Sequence, residues 1–353
     1  MIPQCNPQAG YLAHKTEIDA AIARVLNSGW YILGEEVEAF EQEFAAWLGI
    51  GHAVGVANGT DAIELALRAF GIGPRDKVAT VSHTAVATVA AIRRCGALPV
   101  FVDVDPDYYT MSPSSLEAAL DLVPDIKAAV VVHLYGQMAD MPAILETAKR
   151  HDLAVIEDCA QAHGAALDGC KAGTRGDFGC FSFYPTKNLG ALGDGGAVVT
   201  GNAAAAEKLC AFRQYGWDEA RSSQLEGVNS RLDELQAAVL RERLKHLDAD
   251  NAARRRIAAT YRSGLQGCSG VTLPSEREGC EHAYHQFVIR CKNRKAVVEA
   301  LAQSLIGCAI HYPQPVHRQP AYADTRFTPV SLKCTEEVAI CPFHIPGRQG
   351  CFT

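Results

Sequence analysis

The chain has 353 residues, of which 48% are hydrophobic and 21% are charged. This is the composition of a globular protein that is large enough to form two domains. Because the formal net charge is −7 and the basic residues form no block, the sequence indicates neither a nucleic-acid partner nor a membrane partner.

The amino terminus and the cysteines indicate a cytoplasmic protein. The first residues, MIPQCNPQAG, have neither the basic region nor the apolar region of a secretory signal, and no apolar run approaches the roughly 20 residues that span a bilayer. The 13 cysteines are scattered without a CxxC pair, which fits neither a disulfide framework nor a structural metal site. We therefore expect reduced thiols, mostly in the core, and no metal.

Short apolar runs alternate with helical patterns between about Gly51 and Gly201, which is typical of a wound α/β sheet. The run HAVGVAN predicts a strand, and TDAIELALRAF predicts a helix with Ile63, Leu67 and Phe70 on one face. The other runs that predict buried strands are KVATVS, LPVFVDV, AAVVVHLYG, LAVIEDC, GCFSFYP and GAVVTG.

Beyond Gly201 the pattern changes. The stretch from Ser230 to Leu265 has the length and period of long helices, and HAYHQFVIRC and GCAIHYP predict strands of a smaller α+β domain. We place the boundary near Leu247, with a large domain over residues 1–247 and a small C-terminal domain over residues 248–353.

The stretch GVANGTDAIEL places Gly59 at a turn and Thr60 and Asp61 at the start of a helix. Free backbone N–H groups at a helix start, together with the helix dipole, bind phosphate. The alternative is an ordinary helix cap, since threonine and aspartate are common there.

The stretch VIEDCAQAHGA places Asp158 at the carboxyl end of a strand, where ligands gather in open α/β sheets. This carboxylate is a candidate partner for a cation or a protonated ring nitrogen, and the alternative is a helix cap or a buried salt bridge. Gln161 and His163 follow within a turn and are candidates for the same crevice, although a lone histidine is more often structural.

The stretch FSFYPTKNLGALGDGG surrounds Lys187 with aromatic residues and glycines. Ser182 offers a hydroxyl to an anion, and the glycines allow the backbone to pass close to a bulky group. A lysine forms a Schiff base only when its amine is neutral, which burial favours; the alternative is a lysine in a surface turn. Together, an anion site, a carboxylate and a lysine meet the needs of pyridoxal phosphate.

At this point the sequence resembles the sugar aminotransferases of the DegT/DnrJ/EryC1/StrS family, which are fold type I pyridoxal phosphate enzymes. The resemblance covers nearly the whole chain, and its motifs are NGTDAIELALRA, VHLYGQMADM, EDCAQAHGA, FSFYPTKNLGALGDGGA and GVNSRLDELQAAVL. The stretches AQAHGA and FYPTKNLGALGDGG look most like those of the members that aminate dTDP-linked 3-keto-6-deoxyhexoses. The resemblance implies an α/β fold, with a large domain around a mostly parallel mixed sheet and a smaller α+β domain.

Residue by residue, the resemblance assigns Lys187 to the internal aldimine and to proton transfer. Asp158 would pair with the pyridine nitrogen, and Gln161 with the ring hydroxyl oxygen. The phosphate would be held by Gly59, Thr60 and Ser182.

The resemblance also implies a homodimer with shared active sites. Asn229 would reach the phosphate from the other subunit. The residues expected near the substrate are His163, Tyr184, Tyr215, Arg231, His311 and Tyr312.

Two departures from the family pattern stand out. Many members carry an aromatic residue after the first threonine of a T-x-x-A-T segment, where it stacks on the cofactor; here that residue is Ala85, and the hypothesis is that His83 supplies the flat surface. The closing AICPFHIPGRQGCFT stops before the family's final helix, which predicts a truncated or altered small domain.

The resemblance predicts an aminotransferase that moves an amino group from an amino acid, expected to be L-glutamate, to a nucleotide-linked keto-sugar through pyridoxal and pyridoxamine phosphate. One alternative is a pyridoxal phosphate-dependent sugar dehydratase, but such relatives commonly have histidine at the position of Lys187. The other alternative is a cofactor-binding regulatory protein without turnover.

Overall fold

The computed structural model describes residues 1–322, 328–340 and 342–345. Most of the closing segment, on which the prediction of a missing final helix depends, lies outside these residues. Within the described part of the chain, no helix has the length and apolar character needed to cross a membrane.

The centre of the molecule is a seven-stranded sheet with the strand order β1-β9-β8-β5-β4-β2-β3. The strands from β8 to β3 in this order run parallel, whereas β9 is antiparallel to both of its neighbours. The strands of the first part of the chain are β1 His52–Val56, β2 Lys77–Val81, β3 Leu98–Val102, β4 Ile126–Val132, β5 Ala154–Asp158, β6 Ala166–Leu167, β7 Cys170–Lys171, β8 Phe178–Ser182 and β9 Gly196–Thr200. The predicted α/β fold with a mostly parallel mixed sheet is confirmed.

Helices cover both faces of the sheet because its strands are apolar on both sides. In β2, Val78 packs into the core under α4, α5 and α8, whereas Ala79 and Val81 pack into the core under α3, α6 and α7. The helices are α1 Pro7–Ala13, α2 Lys15–Ser28, α3 Glu35–Leu48, α4 Gly59–Phe70, α5 Val86–Arg94, α6 Pro113–Leu122, α7 Met141–Arg150 and α8 Ala203–Phe212.

The second part of the chain begins with two long helices, as predicted, and continues into a three-stranded antiparallel sheet in the order β10-β12-β13. The prediction of a strand in GCAIHYP was wrong, since residues 307–313 have an irregular backbone. The elements are α9 Glu234–Leu244, α10 Leu247–Leu265, β10 Val271–Thr272, β11 Cys280–Glu281, β12 Phe287–Cys291, α11 Arg294–Gln303, α12 Lys333–Ile340 and β13 Pro342–Ile345.

This second part contacts the first at several places. Strand β11 pairs with β6, and Nδ1 of His317 lies 2.7 Å from the hydroxyl of Ser82. The carboxylate of Asp103 accepts hydrogen bonds from the backbone N–H groups of Cys334 and Thr335 at 2.9 and 2.7 Å. The division into residues 1–247 and 248–353 stays a proposal, and α10 begins at that point.

Candidate active site

A crevice of about 1080 Å³ lies between the central sheet and the second part of the chain. Gln161 and Lys187 line it from the sheet, and His311 and Tyr312 line it from the opposite side. Residues of the N-terminal segment, from Gln4 to His14, form a further wall. The crevice therefore collects residues that are distant in the sequence.

Lys187 lies in the loop between β8 and β9 and is half-buried. Burial lowers the pKa of its amine to about 8, against the opposing effect of the nearby Asp158 carboxylate. The loop is tight: a Cβ at Gly190 would lie only 2.6 Å from the carbonyl oxygen of Pro185. Lys187 is thus a lysine whose amine is readily neutral, as a nucleophile or a base requires.

Asp158 ends β5 and is buried, and both of its carboxylate oxygens are held. The hydroxyl of Thr88 donates to Oδ2 at 2.7 Å, and the N–H of Ala160 donates to Oδ1 at 3.1 Å. A second hydroxyl, that of Thr84, lies 3.0 Å from that of Thr88. Sequence reasoning missed Thr88, although it is the last residue of the T-x-x-A-T segment.

Gln161 connects the sheet to the second part of the chain. Its Oε1 accepts a hydrogen bond of 2.8 Å from the backbone N–H of Tyr135, and its Nε2 donates to the hydroxyl of Tyr312 at 3.1 Å. Tyr135 presents its N–H from a left-handed backbone conformation, with φ of 63°, and its hydroxyl donates to the carbonyl of His311. Tyr135 was also missed, because its only sequence signal is the YG pair in the motif VHLYGQMADM.

Gly59 begins α4 directly against Ser182. A Cβ at Gly59 would lie 2.6 Å from the Cβ of Ser182, so this close approach requires glycine. The side chain of Asn58 caps the helix by accepting the N–H of Asp61 at 2.9 Å. The helix start, with Thr60 half-buried, therefore stands beside the hydroxyl of Ser182, and this arrangement fits a phosphate group.

Two histidines lie in the core, contrary to the roles expected for them. His83 is completely buried, and its Nε2 lies 2.8 Å from the hydroxyl of Tyr135; burial lowers its pKa to about 4. His163 is also completely buried, against Phe181 and Phe183, and burial lowers its pKa to about 3. Neither ring is exposed, and neither lines the crevice.

The remaining predicted residues divide into two groups. Tyr184, His311 and Tyr312 line the crevice, as expected for residues near a substrate. Tyr215, Asn229 and Arg231 do not line the crevice of their own chain. Asn229 is exposed and pairs with Gln214 in an isolated antiparallel bridge.

Comparison with known proteins identifies the family of this chain. Residues 13–350 match the DegT/DnrJ/EryC1/StrS aminotransferase family. The chain belongs to this family. It is 48% identical over 322 residues to the dTDP-3-amino-3,4,6-trideoxy-alpha-D-glucose transaminase of Streptomyces venezuelae, a match that covers 91% of this chain and 84% of the relative.

Two further matches span almost the whole family member. The chain is 45% identical over 350 residues to the UDP-N-acetyl-3-dehydro-alpha-D-glucosamine 3-aminotransferase of Acidithiobacillus ferrooxidans, with 99% of this chain and 94% of the relative covered. The crystal structure of S. venezuelae DesV in complex with a ketimine intermediate superposes with a TM-score of 0.94 at 46% identity, covering 98% of this chain and 92% of that one.

The chain is therefore a pyridoxal phosphate-dependent sugar aminotransferase, and the comparisons do not favour a dehydratase or a regulatory protein. The residues fit the cofactor: the start of α4 at Gly59, packed beside the hydroxyl of Ser182, suits the phosphate, and the fixed carboxylate of Asp158 suits a protonated ring nitrogen. When bound, the cofactor supplies the electron sink and carries the amino group.

The protein's own residues would transfer protons and orient the cofactor ring. The amine of Lys187, with its pKa lowered to about 8, would accept a proton from the donor's Cα and deliver it to C4′ of the cofactor. Asp158, held by Thr88, would keep the ring nitrogen protonated. Gln161, held by Tyr135, would donate its amide hydrogen toward the ring hydroxyl oxygen.

Proposed function

We propose that this enzyme transfers the amino group of L-glutamate to the 3-keto group of a dTDP-linked 6-deoxyhexose. The support for this sugar class is the 48% identity to a transaminase named for a dTDP-3-amino-trideoxyglucose. The relative named for a UDP-linked substrate is nearly as similar, at 45% identity. An experiment therefore has to distinguish dTDP-linked from UDP-linked substrates.

The observation that carries the proposal is the position of Lys187. Its amine, of lowered pKa, lies in the same crevice as Gln161 from the sheet and as His311 and Tyr312 from the opposite wall. The crevice, at about 1080 Å³, exceeds what most small ligands need. It is large enough for a nucleotide sugar and a cofactor together.

The proposal includes a homodimer in which each crevice is completed by the partner subunit. Tyr215, Asn229 and Arg231 lie outside the crevice of their own chain. Close to this segment, Ile32 forms an antiparallel bridge with Asp233. The bridge places the exposed strip Trp30–Ile32 next to the segment that contains Asn229 and Arg231. An exposed apolar strip of this kind beside candidate site residues fits a subunit interface.

The proposal also places the enzyme in the cytoplasm. All of the cysteines within the described residues are free thiols, and several of them are buried. Free thiols are the normal state in a reducing compartment.

The experiment has two stages. First, purified enzyme is mixed with L-glutamate, and the absorbance of the lysine-bound cofactor should give way to that of pyridoxamine phosphate; the Lys187→Ala protein is the control. The enzyme in its pyridoxamine phosphate form is then mixed with matched 3-keto and 4-keto sugars linked to dTDP or UDP. Fastest turnover with a dTDP-linked 3-keto-6-deoxyhexose supports the proposal. Fastest turnover with a UDP-linked or a 4-keto sugar overturns the substrate assignment, and failure with every amino donor overturns the activity.

A further inference from the structure

The segment that contains Asn229 and Arg231 is anchored to its own chain through the serine between them. Ser230 is completely buried, whereas Asn229 is exposed and Arg231 is half-buried. We propose that Ser230 is a positioning residue whose hydroxyl holds this segment so that Asn229 meets the cofactor phosphate in the partner subunit. The inference rests on the homodimer with shared sites that is part of the proposed function.

The segment has an inward and an outward face. Its two ends, Asn229 and Asp233, form isolated antiparallel bridges with other parts of the chain, as an extended backbone does. Successive side chains of such a backbone point in opposite directions. Ser230 and Leu232 are completely buried and alternate with Asn229, Arg231 and Asp233. The side chains that would reach the partner therefore share one face, and those that anchor the segment share the other.

The hydroxyl of Ser230 makes two hydrogen bonds around the start of α4. It donates to Oδ2 of Asp61 at 2.7 Å and accepts the N–H of Ala57 at 3.0 Å. These two partners flank residues 58–60, which include the residues assigned to the phosphate. The guanidinium of Arg94 donates to the other oxygen of Asp61 at 2.9 Å. The carboxylate that receives the Ser230 hydroxyl is therefore fixed in one orientation.

Backbone hydrogen bonds join the segment to the strip that carries Tyr215. The N–H of Ser230 donates to the carbonyl of Arg213, and the N–H of Tyr215 donates to the carbonyl of Val228, each at 3.0 Å. These bonds hold the two strips together, and the Ser230 hydroxyl connects the pair to α4. A hydrogen bond to a carboxylate is stronger than one between neutral groups, which suits an anchor.

The start of α4 has supports of its own. The side chain of Asn58 accepts the N–H of Asp61, and Gly59 packs against Ser182. Removing the Ser230 hydroxyl should therefore disturb the exposed Asn229 more than the phosphate site of the same chain. The effect is expected in the partner's site.

The first test measures how tightly the cofactor-free, full-length protein binds pyridoxamine phosphate, which forms no bond to Lys187. The Ser230→Ala protein should bind it about tenfold more weakly, because Asn229 is no longer held in place. Equal affinity in this variant and the parent would overturn the proposal.

The matched control is Thr200→Val. Thr200 is also buried, and its hydroxyl also donates one hydrogen bond, to the carbonyl of Asp177 at 2.9 Å, and accepts another, from the N–H of Asn202 at 3.2 Å. The Thr200→Val protein should have a lower Tm and an unchanged affinity for pyridoxamine phosphate. An equal loss of affinity in this control would show that any lost buried hydroxyl has the effect, which would overturn a specific role for Ser230.

A double variant tests whether Ser230 acts through Asn229. If the serine presents the asparagine, removal of Asn229 leaves it nothing to position. Ser230→Ala should then cause no further loss of affinity in the Asn229→Ala protein. Additive losses would overturn the positioning role, because a serine that only stabilises the fold would act in both backgrounds.

A mixed dimer, purified through two different affinity tags, tests which site the serine serves. One chain carries Lys187→Ala and the other carries Ser230→Ala, so lysine-bound cofactor forms only in the site that has the second chain's lysine. In the proposed arrangement, this site takes its segment from the first chain. The absorbance of the lysine-bound cofactor should therefore titrate with pyridoxal phosphate as in the parent. A titration as weak as that of the Ser230→Ala dimer would overturn the proposal, since the serine would then serve its own chain.

The Asp61→Asn protein tests the same contact from its other end if the Ser230→Ala protein folds poorly. The amide keeps the size of the side chain and loses the charge, so the affinity for pyridoxamine phosphate should fall in the same direction. An unchanged affinity would overturn the proposal.

Failure of this inference is distinguishable from failure of the proposed function. If the Asn229→Ala protein binds cofactor weakly and the Ser230→Ala protein binds it normally, the shared site stands and only the role of Ser230 falls. If the Asn229→Ala protein binds like the parent, the shared site is wrong and this inference falls with it. Amino transfer from L-glutamate is measured on the parent enzyme and depends on neither result.

Discussion

The hydroxyl of Thr88 lies 2.7 Å from Oδ2 of Asp158 and donates a hydrogen bond to it, across 70 positions of sequence. The other carboxylate oxygen accepts the N–H of Ala160. Since Asp158 is buried, these contacts give the carboxylate one orientation at the end of β5. Thr88 is therefore a positioning residue for the group that would meet the cofactor ring.

Replacing Thr88 with valine removes the hydroxyl and keeps the shape. A hydrogen bond to a charged group contributes about 1.5–3 kcal/mol, so the Thr88→Val protein should lose about 10- to 100-fold in the rate of the first half-reaction with glutamate. The absorbance of the bound cofactor should shift as well. The Thr88→Ser protein, which keeps the hydroxyl, should behave nearly like the parent; if serine and valine are equally impaired, the hydroxyl is not the reason.

Replacing Lys187 with alanine should abolish turnover and leave the fold intact. The crevice loses its nucleophile and its proton carrier, and a placed base alone contributes about 10²–10⁴-fold. The Lys187→Arg protein is a useful control because it keeps a positive charge that does not become neutral. Steady-state transamination above background in either variant, at an unchanged Tm, would locate the essential lysine elsewhere.

The pKa of Lys187 leads to a prediction for pH. The amine is protonated below its pKa of about 8, and only the neutral amine attacks an aldehyde. The rate at which cofactor-free enzyme takes up pyridoxal phosphate should therefore rise about tenfold per pH unit below 8 and level off above it. Stopped-flow absorbance measures this rate.

The same measurement tests the role of Asp158 in that titration. Its carboxylate opposes the lowering of the lysine pKa, so in the Asp158→Asn protein the midpoint should move to lower pH. A midpoint near the ordinary value for lysine in the parent would contradict the effect of burial. An unmoved midpoint in the variant would show that the two groups do not interact.

Asn229 offers a test of shared active sites. If Asn229 donates a hydrogen bond to the cofactor phosphate of the partner's site, as we propose, the Asn229→Ala protein should bind cofactor about 10- to 100-fold more weakly. When it is mixed with the Lys187→Ala protein under subunit exchange, one site of each mixed dimer carries both defects and the other carries neither. Activity at limiting cofactor should exceed that of both parents; exchange confirmed by mass without recovered activity would place Asn229 outside the partner's site.

The fold was largely predictable, because the strands of a buried parallel sheet are apolar runs that stand out in the sequence. The exception is GCAIHYP, an apolar run whose backbone is irregular. There, tertiary contacts such as the bond from Tyr135 to the carbonyl of His311 determine the path of the chain. Apolarity alone does not distinguish such a segment from a strand.

The site was predictable where the chemistry is local. Lys187 and Asp158 each lie in a stretch that shows a strand end or a tight loop. Thr88 and Tyr135 were missed because their partners are distant in sequence, and His83 was misassigned because nothing in its neighbours reveals that its ring is completely buried.

The contacts of Asp103 impose an order on biosynthesis. Asp103 directly follows β3, but its carboxylate accepts hydrogen bonds from the N–H groups of Cys334 and Thr335, the nearer of which follows 231 positions later. At about 5–20 residues per second, a ribosome needs about 12–46 s to make the intervening chain. The two hydrogen bonds cannot form before that interval has passed, so the neighbourhood of β3 is among the last parts of the newborn protein to close.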